Sequence, residues 1–312
     1  MYGLINGEIA PLEAAQIPIW DLGFAQGVSV TEQLRTLGGK LWLVEPHLRR
    51  LEQGLQLAWL SWPEELRESP LDRLRALLEE LAARSLRQLE PGDDVGLCLI
   101  VTGGDHPRFR DAAAEPLQGS RLVAHTFRLP HAEQARRHTA GVRLVTVPTR
   151  EIPAACLDRR LKSRSRMHYW IAQRQAEFAV PGSQALLLDI DGNVAESPAA
   201  TIIAIGGRDR SCLVPPAEAI LPGTCLDWFL ELASRFQLEL IRRPLSIADL
   251  QSASEVLSLS TPGVIAPVVE VDGQRIGAGK AVGGEIYWRV IVEVGDATGT
   301  DLINQSRRFA TS

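Results

Sequence analysis

Three pairs of turn residues, Asn6-Gly7, Gly38-Gly39 and Asp191-Gly192, each lie between runs that read as strands. Such pairs supply the backbone of a tight hairpin turn, so the strands they join lie side by side and antiparallel. Between the hairpins the period changes. Leu48, Leu51, Leu55 and the apolar residues 57–60 predict a helix with Pro46 in its first turn, and a Leu/Ala/Glu/Arg-rich stretch predicts another over 63–89. "DVGLCLIVTGG" and "SRLVAHTFRL" read as buried strands. The second half continues with "VRLVTVPT", "QALLLDIDGNVAES", "TIIAIGG" and "EVLSLSTPGVIAPVVEVDG" as strands. "HYWIAQRQAEFA", "LPGTCLDWFLELASRFQ" and a segment from about Val282 read as helical. Strands and helices mix in both halves without the regular βαβ alternation of a dinucleotide-binding domain, which predicts a mixed α/β (α+β) chain.

At 312 residues the chain is long enough for two domains. The polar stretch over 128–140 is the candidate link between a smaller domain at 1–127 and a larger one at 141–312. A net charge of −5 argues against a general nucleic-acid binder. Cys98, Cys156, Cys212 and Cys225 show no disulfide or zinc spacing, and the six histidines show no metal spacing, so no metal is expected. The start carries no export signal, and no apolar run approaches a membrane span, so a cytoplasmic protein is expected.

The basic residues are distributed oddly. Of 33 Lys plus Arg, only Lys40, Lys162 and Lys280 are lysines. Lys162 sits amid four arginines in "LDRRLKSRSRMHYW". Arginine stays protonated at any working pH, whereas a lysine is made neutral and nucleophilic by its surroundings. The stretch alone leaves two readings open, a lysine drifted from arginine on an exposed strand and an amine kept for chemistry. As a strand, the stretch would put Arg160, Lys162, Arg164 and Arg166 on one face. Lys40 reads as a solvated residue beside its turn, and His47 as a cap or packing residue. "GQRIGAGK" fails as a phosphate loop, because Gln274 replaces its first glycine and Ala281 its Ser or Thr.

Several features fit the needs of pyridoxal phosphate: a lysine for its Schiff base, a carboxylate for its ring nitrogen, and cations or amides for its phosphate. Lys162 supplies the amine, and neighbouring cations disfavour its protonation. Glu196 follows a strand and turn, where without this context it would read as a solvated acid. "LPGT" before a helix offers amides and a positive dipole end, and "SLSTPG" adds hydroxyls. Arg50, on a first-half helix, is a candidate phosphate clamp.

With these segments in order, the chain resembles the fold-type IV pyridoxal-phosphate enzymes, which include D-amino-acid and branched-chain aminotransferases and aminodeoxychorismate lyase. "DLGFAQGVSVTEQLR" resembles the family opening D-R-G-F-x-x-G-D-G-x-F-E-x-x-R, and "PHLRRL" its E-H-L-x-R-L helix. "LKSRSR" is similar to the lysine segment, "DGNVAESPAATI" to D-G-x-V-x-E-x-x-x-x-N-I, "ILPGTC" to I-L-P-G-I-T-R, and "LSLSTPGVIAPVVEVDG" to the last phosphate segment. The resemblance implies a small N-terminal domain, a larger barrel-like C-terminal domain and a homodimer. It also implies Lys162 as the Schiff-base lysine, Glu196 at the ring nitrogen and Leu221 against the ring. Arg50, Gly223, Thr224, Cys225, Ser260 and Thr261 would surround the phosphate.

Departures from the family fall on the substrate side. Thr31 replaces an aromatic pocket residue, Gly103 the arginine that binds substrate carboxylate in D-amino-acid aminotransferases, and Met167 a tyrosine of branched-chain enzymes. Thr201 replaces an Asn, and Cys225 a Thr. Arg35, Arg164 and Arg166 are then the candidates for the substrate carboxylate, although Arg164 and Arg166 read equally as partners of acids at the domain contact. The activity expected is transfer of an amino group between an amino acid and a 2-keto acid. "TEQLR" favours this, since Glu32 and Arg35 keep the aminotransferase pattern. The alternatives are an aminodeoxychorismate lyase releasing pyruvate and a catalytically retired binder of a phosphate ligand.

Overall fold

A computed structural model describes residues 1–109, 116–207, 209–277 and 282–311. Lys280 and Ala281 lie outside the described residues. The chain divides into two compact units, Met1–Leu129 with Arg160–Ser165, and Pro130–Arg159 with Arg166–Ser312. Both mix strands and helices, as the sequence predicts. Among the described residues no helix is long and apolar enough to cross a membrane.

The first unit contains β1 (Tyr2–Ile5), β2 (Glu8–Pro11), α1 (Leu22–Ala25), β3 (Ser29–Leu37), β4 (Lys40–Leu41), α2 (Val44–Leu57), α3 (Pro70–Leu86), β5 (Val95–Thr102) and β6 (Arg121–Arg128). Its sheet runs β2-β1-β6-β5-β3-β4 and is antiparallel throughout. The Asn-Gly and Gly-Gly turns make the β1–β2 and β3–β4 hairpins, with Asn6 at φ 47° and Gly7 at φ 89°. Leu48, Leu51 and Leu55 of α2 and Leu74, Leu78 and Leu81 of α3 bury their stripes on Leu34, Leu97 and Leu99. The stretch predicted as one helix over 63–89 breaks into a 3-10 turn at Glu64–Leu66 and α3, which starts at Pro70 as its first-turn proline. Helix α2 lies close on β3 because residue 54 is glycine. A Cβ there would come within 2.6 Å of Val30 Cγ1.

The second unit contains α4 (His131–Ala140), β7 (Val142–Thr146), α5 (Met167–Ala179), β8 (Gln184–Leu188), β9 (Val194–Glu196), β10 (Thr201–Ile205), β11 (Ser211–Val214), α6 (Thr224–Arg235), β12 (Glu239–Arg242), α7 (Ile247–Ser252), β13 (Glu255–Ser260), β14 (Val264–Val271), β15 (Gln274–Arg275), α8 (Glu285–Thr298) and α9 (Leu302–Arg308). Its sheet runs β12-β11-β10-β13-β14-β7-β8-β9, with β15 on β14. Pairing is mixed, parallel for β11–β12, β14–β7 and β7–β8 and antiparallel elsewhere. Asp191-Gly192 turns the β8–β9 hairpin that ends in Glu196. The stretch over 128–140, expected as a link, is the end of β6 followed by α4.

The expected strand at Lys162 does not form. The alternation of basic residues with serine imitates a period of two, but among the described residues the stretch forms no strand and shows a bridge of Ser163 with Val30 and the bond from Thr31 N–H to Lys162 C=O, 2.8 Å. Arg160, Lys162 and Arg164 count with the first unit, while Arg166 becomes the N-cap of α5 in the second. The four side chains therefore share no strand face.

Candidate active site

The lysine segment is fastened to the first unit at each of its middle residues. Leu161 packs on the first unit's core. Lys162 is held through its carbonyl by Thr31, and Ser163 by the bridge to Val30. Arg164 Nη2 donates to Cys98 Sγ at 3.0 Å, and burial pushes the Cys98 thiol up, so it stays an S–H. Ser165 Oγ donates to Gly27 C=O at 3.1 Å. Gly27 has φ +70°, and any Cβ on it would meet Ser165 Oγ at 2.4 Å, so glycine is required there twice over. These bonds fix the backbone that carries the Lys162 amine.

Glu32 lies fully buried on β3, facing α2. Arg50 Nε donates to its Oε1 at 2.7 Å and Arg50 Nη2 to its Oε2 at 2.6 Å, while His47 Nδ1 lies 2.7 Å from Oε2. Burial alone would raise this carboxyl, but the charge and fork of Arg50 with the His47 bond hold it well below the usual carboxylate range. Burial pushes the His47 imidazole down despite the pull of Glu32, so a neutral ring donates its Nδ1–H. His47 is thus a buried partner of an acid, not a helix cap. The spacing of 47 and 50 puts both donors on one face of α2. Two nitrogens of Arg50, the expected phosphate clamp, are directed at Glu32.

In the second unit Glu196 ends β9, 6% exposed. Its Oε1 accepts from Tyr169 OH at 2.6 Å and from Arg159 Nη2. Arg159 Nη1 also donates to Glu151 Oε1 at 2.6 Å, so the guanidinium bridges two buried carboxylates. Burial works against its charge, yet Glu196 and Glu151 hold Arg159 above the ordinary arginine range. Burial, and then the charge of Glu196, push the Tyr169 phenol far up, so its hydroxyl stays a donor. Arg166 stacks over the Tyr169 ring at 4.4 Å and donates to Pro198 C=O. Arg159, Tyr169 and Glu151 were not singled out from the sequence.

Around the same strand ends, register brings the predicted phosphate segments together. Thr201 pairs with Leu259 and Ser260 with Val264, so the starts of β10 and β14 and the end of β13 coincide. Cys225 Sγ lies 3.8 Å from Thr261 Oγ1, which joins the α6 N-terminus to the Thr261-Pro262-Gly263 turn. A Cβ on Gly223, the N-cap of α6, would meet Thr201 Oγ1 at 3.1 Å. The N-cap residue of this 12-residue helix is Gly223, which has no side chain, and the positive end of the helix dipole lies at this N-terminus. Val264, directly after the turn, holds φ 59°, a strained conformation for a β-branched residue of the kind that collects at ligand sites. A buried helix start, two hydroxyl residues and a buried carboxylate make a set of groups that fits a phosphorylated pyridine.

On the substrate side, Thr31 Oγ1 donates to Leu99 C=O at 2.7 Å, within the sheet. Arg35 is 1% exposed, and its Nε donates to Thr36 C=O. Gly103 is closely packed: a Cβ there would lie 3.1 Å from both Leu22 and Val28. An arginine at 103 would therefore need repacking of both neighbours. Met167, in place of the tyrosine, is 69% exposed.

The sequence pattern of the amino-transferase class IV family matches residues 29–271. The chain belongs to that family, the fold-type IV pyridoxal-phosphate enzymes. It is 27% identical over 273 residues to a putative branched-chain-amino-acid aminotransferase of Methanocaldococcus jannaschii, covering 87% of this chain and 88% of the relative. It is also 27% identical over 286 residues to a bifunctional aminodeoxychorismate lyase / D-amino acid transaminase of Mycobacterium tuberculosis, covering 87% and 91%. A hypothetical aminotransferase from Mycobacterium tuberculosis, solved in a PLP-bound form, superposes with a TM-score of 0.78 at 25% identity, covering 96% of this chain and 98% of that one.

Proposed function

We propose that this chain moves an amino group between an amino acid and a 2-keto acid, with Lys162 as its working amine. The cofactor is pyridoxal 5′-phosphate, supported by family membership and by the PLP-bound relative. The observation that carries the reading is Glu196, a buried carboxylate that accepts from an arginine and a tyrosine at the strand ends where the phosphate segments meet. When bound, the cofactor supplies a cationic ring that takes up the electron pair released at the substrate α-carbon. Lys162 removes the α-proton and delivers one to C4′ of the cofactor, acting as general base and then acid. Glu196 keeps the ring nitrogen protonated. The amides of Thr224 and Cys225 and the hydroxyls of Ser260 and Thr261 would hold the phosphate, Gly223 would permit close approach, and Leu221 would pack on the ring. Arg50 adds positive charge for the phosphate.

With no arginine at 103 and Arg35 closed to solvent, Arg164 or Arg166 takes the substrate carboxylate. The working protein is a homodimer, to be checked by sedimentation. A second reading, β-elimination of pyruvate from aminodeoxychorismate, is favoured by the similarity to the bifunctional relative. The deciding assay offers aminodeoxychorismate beside L- and D-amino acids with 2-oxoglutarate or pyruvate. Amino transfer to the keto acid is expected. Pyruvate release from aminodeoxychorismate without an acceptor, and no amino transfer, overturns the first reading.

A further inference from the structure

Arg159 stands three residues before Lys162 and Tyr169 seven residues after it, yet both side chains end on the same oxygen of Glu196. Arg159 does not reach there by chance of a flexible surface. Its side chain is 9% exposed, and its other terminal nitrogen is held by Glu151, 3% exposed, which also accepts the Ile152 N–H at 2.9 Å. Tyr169 is set by the first turns of α5, with Arg166 over its ring. Two fixed donors, one of them a cation, thus converge on a carboxylate that burial would otherwise make more basic. Donors on a carboxylate lower its affinity for a proton, and they act most on the group they touch.

We propose that Arg159 and Tyr169 are positioning residues that decide which side of the bond between Glu196 and the cofactor's ring nitrogen holds the proton, keeping it on the nitrogen. The inference rests on the role given to Glu196 above. Without the two donors, Glu196 becomes the stronger base of the pair. The proton then moves toward the carboxyl, and the ring loses part of the positive charge that draws electrons from the α-carbon. No bond other than that hydrogen bond changes, and no further reactant is required. Glu151 belongs to the device only through Arg159, whose second carboxylate partner stops the guanidinium from swinging away.

The test is the ¹⁵N resonance of the ring nitrogen in holoenzyme loaded with ¹⁵N-labelled cofactor. In the unaltered protein it should sit at the protonated position and stay there as pH rises through the stable range. Tyr169→Phe should move it part-way toward the position of a neutral pyridine, and Arg159→Gln further. Arg159→Lys, which keeps the charge and loses the fork, should bring it part of the way back. A merely structural role would change melting temperature and leave the resonance in place. An unmoved resonance in both Tyr169→Phe and Arg159→Gln overturns the inference. Tyr169→Phe alone decides the matter if Arg159→Gln does not fold. Glu196→Gln separates the two levels. If it leaves the nitrogen protonated, the role of Glu196 itself is wrong and the inference falls with it. If it moves the resonance while the other two variants do not, only the inference fails.

Discussion

Glu32 and Glu196 are both buried carboxylates held by an arginine and a second donor, and they differ in where the donors come from. Glu32 takes bonds on both oxygens, all from one face of α2, which Gly54 lets settle onto the same strand. It sits within the leucine core of the first unit and behaves as part of that core. Glu196 ends a three-residue strand, and its donors arrive on one oxygen from an irregular segment and from α5. Burial and an arginine partner alone therefore do not mark a working group. A carboxylate enclosed by one packed helix is held as scaffold, whereas one at converging strand ends is gripped from two separate segments, and it is the second to which the proposed function gives the ring nitrogen.

The largest effect should come from the proposed Schiff-base lysine. Lys162→Arg keeps the charge and removes the amine, and should lower turnover by about 10⁴-fold, the upper range for losing a general acid–base. Borohydride treatment of the holoenzyme should leave cofactor on the Lys162 peptide. Label on the Lys40 or Lys280 peptide would reject the assignment. Next, Glu32→Gln should destabilise the protein by about 3–5 kcal/mol in urea unfolding, because Arg50 is left buried without its counter-charge. Glu196→Gln should do the reverse, with a loss on the order of 10²-fold in kcat and little change in stability. Equal destabilisation by both variants would break the distinction.

Acid should act mainly on the Glu32 cluster. Its folded carboxyl titrates below the ordinary range, so the folded state binds fewer protons than the unfolded chain once pH nears about 4.3. Its stabilisation is complete above that pH and is lost as pH falls toward the folded value. His47, also pushed down, adds loss of the same sign from about pH 6.5 downward. Urea unfolding at pH 7, 5 and 4 should show stability falling. The smallest effect is expected for Thr261→Ala. It should weaken cofactor binding by about tenfold by fluorescence titration, the scale of one hydrogen bond to a charged group.

The sequence revealed the hairpins, because Asn-Gly, Gly-Gly and Asp-Gly carry their turn chemistry locally. It put forward Lys162 and Glu196 as candidates because a rare lysine and six ordered motifs carry information without a fold. It did not reveal α4 as part of the second unit. That helix buries His131, Gln134 and His138, with Gln134 donating to Pro262 C=O and His138 bonded to Tyr287. A polar buried face leaves no hydrophobic period to read. Arg159 was one arginine among four, and only the folded positions of Glu151 and Glu196 set it apart. The alternation around Lys162 misled for a related reason. Spacing gives a possible face, but a strand also needs a continuous partner, and β3 offers that segment little more than one bridge.

The membership of residues 160–165 in the first unit bears on how the protein is born. Domains on a growing chain tend to fold in order as each emerges from the ribosome. Here the first unit has its last strand by Arg128, but Leu161, which packs on its core, follows only after the opening of the second unit has been made. An early folding intermediate must wait with that patch of leucines uncovered. A fragment ending at 129 should therefore be prone to association, and one that is also given the 160–165 peptide should be less so.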